Sequence, residues 1–189
     1  YSHLSVWDTP EEGWLLMDSV LHTHVLREPC QDPVQCDYVR AFDLLPALRP
    51  EARRCLLIGM GGGSILKTYE PFDFRFDVVE IDPEVRVTAE RFFGPFRFRG
   101  AVHIQDGRAF LRRCEKEYDL VVLDVASADL SPEHLCTVEF FREVRRARAP
   151  GGVLGVNSMG SWEGRSLPSL QRTLKAVFPH VLGCMAHVT

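Results

Sequence analysis

The chain has 189 residues, 46% of them hydrophobic and 25% charged, which suits one well-buried soluble domain. Its formal net charge is −4, and its arginine-rich segment, 142–148, is predicted to form one helix face, so nucleic-acid binding is not expected. The six cysteines form no CxxC pair, and no apolar run is long enough to cross a membrane, so we expect a cytoplasmic protein without a zinc site. Because the first residue is Tyr1 rather than methionine, residues upstream of it are expected in the natural chain.

Residues 1–27 are predicted to form a small antiparallel β-unit. Strand-like apolar alternation occurs at 4–7, 14–17 and 20–23, with turn-forming residues between the first two segments. A linker with two prolines follows at 27–33. The spacing of apolar residues then predicts a helix over 37–48 that ends before Pro50.

Strands and helices are predicted to alternate through the rest of the chain. Strands are expected at 55–58, 76–80, 101–105, 120–124, 153–156 and 181–188, and helices at 64–69, 83–93, 107–114, 132–148 and 167–178. This alternation indicates the α/β class, a Rossmann-like and mostly parallel sheet with helices on both faces. The Rossmann-like domain is expected to span residues 33–189.

A glycine-rich turn and an acidic residue form the first candidate site. Four glycines follow the strand at 55–58, namely Gly59, Gly61, Gly62 and Gly63. Glycine at such a turn lets the backbone adopt positive φ and approach a ligand closely. Glu80 ends the next strand, where a carboxylate can accept hydrogen bonds from both ribose hydroxyls of a nucleoside. A nucleoside site is therefore predicted, against the alternatives of a ligand-free turn and a solvent-exposed acid.

Two further acids end predicted strands. Asp106, which precedes Gly107, can accept from an exocyclic adenine amine, cap the following helix, or do both. Asp124 lies at the carboxyl edge of the sheet, where open α/β sheets bind ligands, and is a candidate base for a substrate amine, with a capping role as the alternative. Asp82 is predicted to cap the helix at 83–93. Of His22 and His24, one is expected to face the cleft, and no metal site is expected.

Taken together, these motifs resemble the spermidine synthase family, within the S-adenosylmethionine-dependent methyltransferase fold. Met17–His22 is similar to the family motif LDGxxQ, and Cys36–Arg40 contains Tyr38 where the family has a pocket tyrosine. The glycine turn, the segments 79–85 and 105–107, and Pro132–Phe141, which looks like PAESLFTxEFY, follow in the same order.

The resemblance implies a cofactor, an acceptor and roles for residues. The cofactor would be S-adenosylmethionine or its decarboxylated form, and the acceptor a small molecule such as a polyamine. Residues implied to bind the cofactor are Gly59, Gly61, Gly62, Gly63, Glu80, Asp106, Gly107 and His22. Asp124 would be catalytic, and Tyr38 and Ser127 would bind the acceptor. The family also suggests a homodimer.

Departures from the family pattern bear on the reaction. Gly62 stands where the family's GGGDG loop has the aspartate that holds the aminopropyl ammonium, and Ser127 replaces the second acid of DSSDP. A charge-assisted hydrogen bond contributes roughly 1.5–3 kcal/mol, so two losses would weaken polyamine recognition by about two to four orders of magnitude. His22 also replaces the family's glutamine. Only 181–188 is predicted for the antiparallel strand pair that closes methyltransferase-type sheets, so either that last strand or the end of the chain is expected to be absent.

Three hypotheses follow. The first is transfer of an alkyl group, with methyl favoured, from the sulfonium of the cofactor to an unidentified acceptor. The second is true aminopropyl transfer, in which Asp124 and Tyr38 bind the amine and Asp129 or Glu133 supplies the missing charge. The third is a cofactor-binding module without catalysis.

Overall fold

The computed structural model describes residues 3–27, 37–125, 132–159 and 163–185. The predicted β-unit is confirmed as a three-stranded antiparallel sheet in the order β1-β2-β3. Its strands are β1 Leu4–Asp8, β2 Glu12–Met17 and β3 Val20–Leu26. Asp18 and Ser19 join β2 to β3 with φ of 49° and 67°, the left-handed conformation that tight hairpin turns need.

The second sheet is parallel, as predicted, and has the strand order β6-β5-β4-β7-β8. Its strands are β4 Arg54–Ile58, β5 Arg75–Glu80, β6 Arg99–Ile104, β7 Tyr118–Leu123 and β8 Arg148–Val156. The helices are α1 Asp37–Ala41, α2 Leu44–Leu48, α3 Ser64–Thr68, α4 Pro83–Phe92, α5 Gly107–Arg113, α6 Val138–Ala147 and α7 Ser166–Lys175, with a 3₁₀ turn at Glu133–Leu135. The strand order reverses between β4 and β7, and ligands of open α/β sheets bind at such a point.

Helices cover both faces of this sheet. Alternate residues of β4 enter two different apolar cores, Leu57 on the side of α1 and α3, and Leu56 on the side of α5 and α6. The two cores bury both faces of β4, and Leu56 and Leu57 are accordingly at most 1% accessible. This explains why the strands read as continuous apolar runs rather than as alternating ones.

The helix predicted over 37–48 is instead two short helices, α1 and α2. Pro46 has no N–H to donate to the carbonyl of Phe42, four residues earlier, so one helix cannot run through this segment with its hydrogen bonds intact. The Tyr69 hydroxyl donates a hydrogen bond to the carbonyl oxygen of Phe42 at 2.6 Å. The break is therefore stabilised by a side chain that lies 27 positions away in the sequence.

Two predictions for the second half of the chain are also corrected. The helix predicted over 132–148 becomes the 3₁₀ turn and α6, because the side chain of Thr137 caps α6 by accepting from the backbone N–H of Phe140 at 3.1 Å. The strand predicted at 181–188 is wrong for its described part, 181–185, which is not a strand. Val181 packs against the core around α6, whereas Leu182 is 90% exposed. Residues 186–188 lie outside the described part.

The β-unit packs against the end of α4. Leu15 and Val25 form a small apolar core with Phe93, and the Arg27 guanidinium donates to the backbone carbonyl of Phe92 at 3.1 Å. The division into residues 1–27 and 33–189 remains a prediction. None of the helices among the described residues is long and apolar enough to span a membrane.

A cluster of polar side chains lies under the sheet on the side of α5. Asp77 in β5 is 7% exposed and accepts from the Tyr118 hydroxyl at 2.9 Å and the Lys116 ammonium at 2.8 Å. His103 Nε2 lies 2.9 Å from its other oxygen. Burial opposes ionisation of Asp77, but these three partners outweigh it and lower the carboxyl pKa.

Replacing Asp77 with alanine is expected to lower the free energy of unfolding by about 2–4 kcal/mol, because the buried Tyr118 hydroxyl would lose its acceptor. Urea unfolding at pH 7 measures this. The matched control is Asp73→Ala, which removes only an exposed pair with Arg99 and should change stability by less than about 0.5 kcal/mol. Since the folded-state pKa of Asp77 lies below the usual 3.8, its contribution should be present at neutral pH and lost as pH falls through that folded pKa. Equal losses of unfolding free energy in Asp77→Ala and Asp73→Ala would contradict a stabilising role for the buried Asp77 cluster.

Candidate functional site

The glycine turn is the first part of the site. It connects β4 to α3, and three of its glycines have positive φ, 92° at Gly59, 51° at Gly61 and 78° at Gly63. A Cβ on Gly59 would lie 2.0 Å from the backbone oxygen of Asp124, so the turn packs directly on the end of β7. A Cβ on Gly61 would meet nothing nearer than 3.8 Å, so the backbone there can be approached closely.

Glu80 is tied to this turn rather than free in solvent. The residue is 7% exposed, and its Oε2 accepts from the backbone N–H of Met60 at 2.9 Å. Its Oε1 accepts from the N–H of Asp82 at 2.9 Å. Each carboxylate oxygen has two lone pairs, so both oxygens can accept a further hydrogen bond. Asp82 caps α4 as predicted, since its Oδ1 accepts from the Glu84 N–H at 2.9 Å.

Asp106 has the capping role that was one of its two predicted roles. Its Oδ1 accepts from the Ala109 N–H at 2.8 Å, and His134 Nε2 lies 3.0 Å from Oδ2. Burial opposes ionisation of Asp106, but the hydrogen bonds from Ala109 and His134 outweigh it and lower the carboxyl pKa. Gly107 is required for packing, because a Cβ there would lie 2.6 Å from Cγ2 of Ile58.

Asp124 follows β7 and has two side-chain partners. Asn157 donates from Nδ2 to Oδ1 at 2.9 Å, and the Tyr38 hydroxyl lies 3.4 Å from Oδ2. Burial raises the pKa of Asp124 to about 6, although both hydrogen bonds act in the opposite direction. A carboxyl group with this pKa is mostly ionised at pH 7 and can take a proton from an amine.

The β-unit supplies the wall that faces the glycine turn. The hydroxyl of Thr23 in β3 accepts from the Gly62 N–H at 3.0 Å. A Cβ on Gly62 would lie 2.5 Å from that hydroxyl oxygen, so Thr23 fills the space that a side chain at position 62 needs. The Tyr38 hydroxyl lies 3.5 Å from the carbonyl of the adjacent residue, His22.

The two histidines of β3 have different surroundings. His24 Nε2 lies 2.8 Å from a carboxylate oxygen of Glu12, and its ring packs on Trp14 with centroids 4.5 Å apart. Burial lowers the pKa of His22, and the charge of Asp18 partly opposes this. Within the described ranges, no three His, Cys, Asp or Glu side chains lie close enough together to hold a metal ion.

Most of the sequence-predicted residues converge on one edge of the parallel sheet. The glycine turn follows β4, Glu80 is the last residue of the neighbouring strand β5, and Asp106 lies just beyond β6. Asp124 follows β7. Ser127 lies outside the described residues. Sequence reasoning missed Asn157, Thr23 and His134. For Asn157 a signal existed, since it is a polar residue directly after an apolar predicted strand, whereas nothing local marks the other two.

The residues at this edge fit an adenosyl cofactor. The open backbone at Gly61 and the free lone pairs of Glu80 can accommodate a nucleoside. The Ser64 hydroxyl, directly after the turn, is buried and has no hydrogen-bond partner among the described residues.

Comparison with known proteins finds a matching family and several relatives. Residues 43–189 match the family described as spermine/spermidine synthase domain. A polyamine aminopropyltransferase of Vibrio vulnificus is 32% identical over 144 residues, which cover 71% of this chain and 47% of that protein. An N-terminal histidine N-methyltransferase of Emericella nidulans is 29% identical over 199 residues, 94% of this chain and 36% of that protein. The chain therefore spans about half or less of the length of these two relatives.

Solved structures agree on the fold. A probable spermidine synthase from Corynebacterium glutamicum superposes with a TM-score of 0.84 over 95% of this chain and 69% of that chain, at 21% identity. Human methyltransferase-like protein 13 in complex with SAH superposes with a TM-score of 0.67 over 77% of this chain and 74% of that chain, at 29% identity. The match to the family over most of the chain, together with the architecture, establishes that this chain belongs to the spermine/spermidine synthase domain family.

Proposed function

We propose that this protein transfers an aminopropyl group from decarboxylated S-adenosylmethionine to a polyamine or another small amine. The observation that carries the proposal is the pair Asp124 and Tyr38, which lies beside the glycine turn at the carboxyl edge of the sheet. The curated polyamine aminopropyltransferases among the relatives favour aminopropyl transfer over the methyl transfer that the sequence analysis put first.

Each residue has a defined role in this proposal. Glu80 would hold the ribose hydroxyls, Asp106 the adenine amine, and the glycine turn with His22 the remaining part of the cofactor. A bound sulfonium supplies an electrophilic carbon and a thioether leaving group. Tyr38 and Ser127 would hold the amine, and Asp124 would accept its proton as the new C–N bond forms and the C–S bond breaks. The other contributions of the protein are alignment of the two groups and exclusion of water.

Methyl transfer from S-adenosylmethionine is a second candidate, because one contact in the structure favours it. Thr23 fills the space beside Gly62, so this position cannot carry an acid without a shift of β3 or of the turn. A loop without an acid does not repel the carboxylate of intact S-adenosylmethionine. The relatedness to the N-terminal histidine N-methyltransferase agrees with this second candidate.

One assay separates the candidates by their products. The purified chain is incubated with each form of the cofactor and a panel of diamines and polyamines, and the nucleoside products are identified by mass spectrometry. Aminopropyl transfer releases methylthioadenosine, whereas methyl transfer releases S-adenosylhomocysteine. Cofactor binding without either product, unchanged in Asp124→Asn, would support the non-catalytic alternative. If S-adenosylmethionine, its decarboxylated form and methylthioadenosine all fail to bind below millimolar concentration in calorimetry, an adenosyl site is excluded.

A cytoplasmic location and a homodimer remain part of the proposal. Cys55, Cys114 and Cys184, in the described part of the chain, are free thiols, which agrees with a reducing compartment. Trp7 on the β-unit is 68% exposed, and such an apolar side chain is available to a second copy. Sedimentation of the purified chain would test the dimer.

A further inference from the structure

The 3₁₀ turn at Glu133–Leu135 is joined to the candidate adenine site by His134. Its Nε2 lies 3.0 Å from Oδ2 of Asp106. The backbone carbonyl of His134 accepts from Arg108 Nη1 at 3.2 Å. Arg108 in turn donates to both carboxylate oxygens of Glu143 on α6, at 3.0 and 3.4 Å. The backbone of the 3₁₀ turn at His134 is therefore connected to α6 through Arg108, and the His134 ring contacts Asp106, directly before α5.

The two contacts of Asp106 leave its carboxylate little freedom to rotate. Oδ1 accepts from the Ala109 N–H and Oδ2 from His134, so a rotation about the side-chain torsion would break at least one hydrogen bond. Since the lowered pKa keeps Asp106 ionised, the carboxylate can only accept, and Nε2 of His134 must carry the proton of this bond. One lone pair on each oxygen remains available to a ligand.

We propose that His134 is a positioning residue that holds the Asp106 carboxylate in the orientation that accepts from an exocyclic purine amine. This rests on the proposed function, in which Asp106 binds the adenine. His134 thereby selects a 6-amino purine over a 6-oxo purine, because a fixed carboxylate accepts from an amine but repels a carbonyl oxygen. Without His134, only the Ala109 N–H holds the carboxylate, which is then less well oriented towards the purine amine.

Removal of the His134 side chain should change ligand binding without changing the stability of the fold. The His134 side chain is 50% exposed and that of Asp106 is 34% exposed. Exposed pairs contribute little to folding, so removal of His134 should leave thermal unfolding nearly unchanged. A defect in purine selection would then reflect orientation of the carboxylate rather than damage to the fold.

The test measures dissociation constants of methylthioadenosine and of its 6-oxo counterpart, methylthioinosine, by calorimetry. We expect the wild type to prefer the 6-amino ligand. In His134→Ala the affinity for methylthioadenosine should fall about 5- to 10-fold, since one orienting hydrogen bond is lost, while that for methylthioinosine should stay the same or rise. His134→Gln retains an N–H donor and should recover most of the preference. Glu139→Ala, at an exposed position in the first turn of α6, is the control and should behave as the wild type.

The outcomes distinguish the two proposals. If the wild type binds neither nucleoside, the proposed function fails, and the role of His134 fails with it. If the wild type prefers the 6-amino ligand and His134→Ala keeps the same ratio of dissociation constants, only the inference about His134 is wrong. Equal weakening of both ligands in His134→Ala would also overturn it, because a purely structural residue would have that effect.

Discussion

Asp124→Asn is expected to lower the rate of group transfer by about 10²- to 10⁴-fold, because the variant retains the shape of the side chain but cannot accept a proton. Cofactor affinity should change little, since Asp124 is assigned to the acceptor. Single-turnover rates with a saturating amine measure the effect. An Asp124→Asn rate within a factor of three of the wild-type rate would exclude Asp124 as the base.

The pH dependence of the wild-type rate provides a second test of the same group. Because burial raises the pKa of Asp124 to about 6, the rate should fall about tenfold per unit as pH drops below that value. Asn157 donates to Asp124 and opposes this rise. Asn157→Ala should therefore move the acidic limb of the profile to higher pH, whereas no shift would argue that another group controls the limb.

The Asp124→Asn substitution should stabilise the fold while it lowers the rate of group transfer. The folded-state pKa of Asp124 lies above the usual 3.8, so the native state binds this proton more tightly than the unfolded state. Stability due to this group is greatest below pH 4 and is lost as pH rises through about 6. At pH 7, Asp124→Asn should therefore raise the free energy of unfolding by about 1–2 kcal/mol, a value reduced for partial solvent exposure.

Asp119, at the other end of β7, provides a matched control for the gain in stability expected of Asp124→Asn. Its Oδ2 accepts from the backbone N–H groups of Arg53 and Arg54 at 2.8 and 3.0 Å. Burial opposes its ionisation, but these bonds and the charge of Arg49 outweigh it and lower the pKa. Asp119→Asn should lose stability at pH 7 and retain group transfer, the reverse of the result expected for Asp124→Asn.

Gly59→Ala is expected to have the largest effect on folding, a loss of at least about 3 kcal/mol. Its φ of 92° lies outside the left-handed region that other residues tolerate, and its Cβ would lie 2.0 Å from the Asp124 backbone oxygen. Rotation of a side chain cannot relieve a contact between a Cβ and a backbone oxygen. The end of β7 would have to move, and with it the Asp124 side chain.

Gly61→Ala separates this steric effect from the effect of positive φ. Gly61 has a φ of 51°, within the left-handed region, and its Cβ would have no neighbour nearer than 3.8 Å. The substitution should cost only about 1 kcal/mol. Urea unfolding of both variants measures the difference, and similar losses would show that the close packing of Gly59 on Asp124 is not needed for the fold.

Local sequence signals predicted much of the fold and of the site. The glycine turn, Glu80, Asp106 and Asp124 each lie at or just after the carboxyl end of a predicted strand, so their common edge follows from the parallel sheet alone. Caps such as Asp82 and Asp106 were also predictable, because a cap bonds to backbone only two or three residues away. The break at Phe42 was missed, although Pro46 is in the sequence, because the apolar spacing of 37–48 suggested one helix.

Contacts between distant residues decided the rest. Tyr38 and Asp124 are 86 positions apart, Thr23 and Gly62 are 39 apart, and His134 and Asp106 are 28 apart. No periodicity or motif in one segment encodes which side chain of another segment will face it. Local patterns were enough to predict an α/β protein with an adenosyl-type glycine turn and acids at the carboxyl ends of its strands. Three features depend on the folded chain: Thr23 fills the space beside Gly62, burial raises the pKa of Asp124, and His134 contacts Asp106. Packing and desolvation depend on groups that folding brings together.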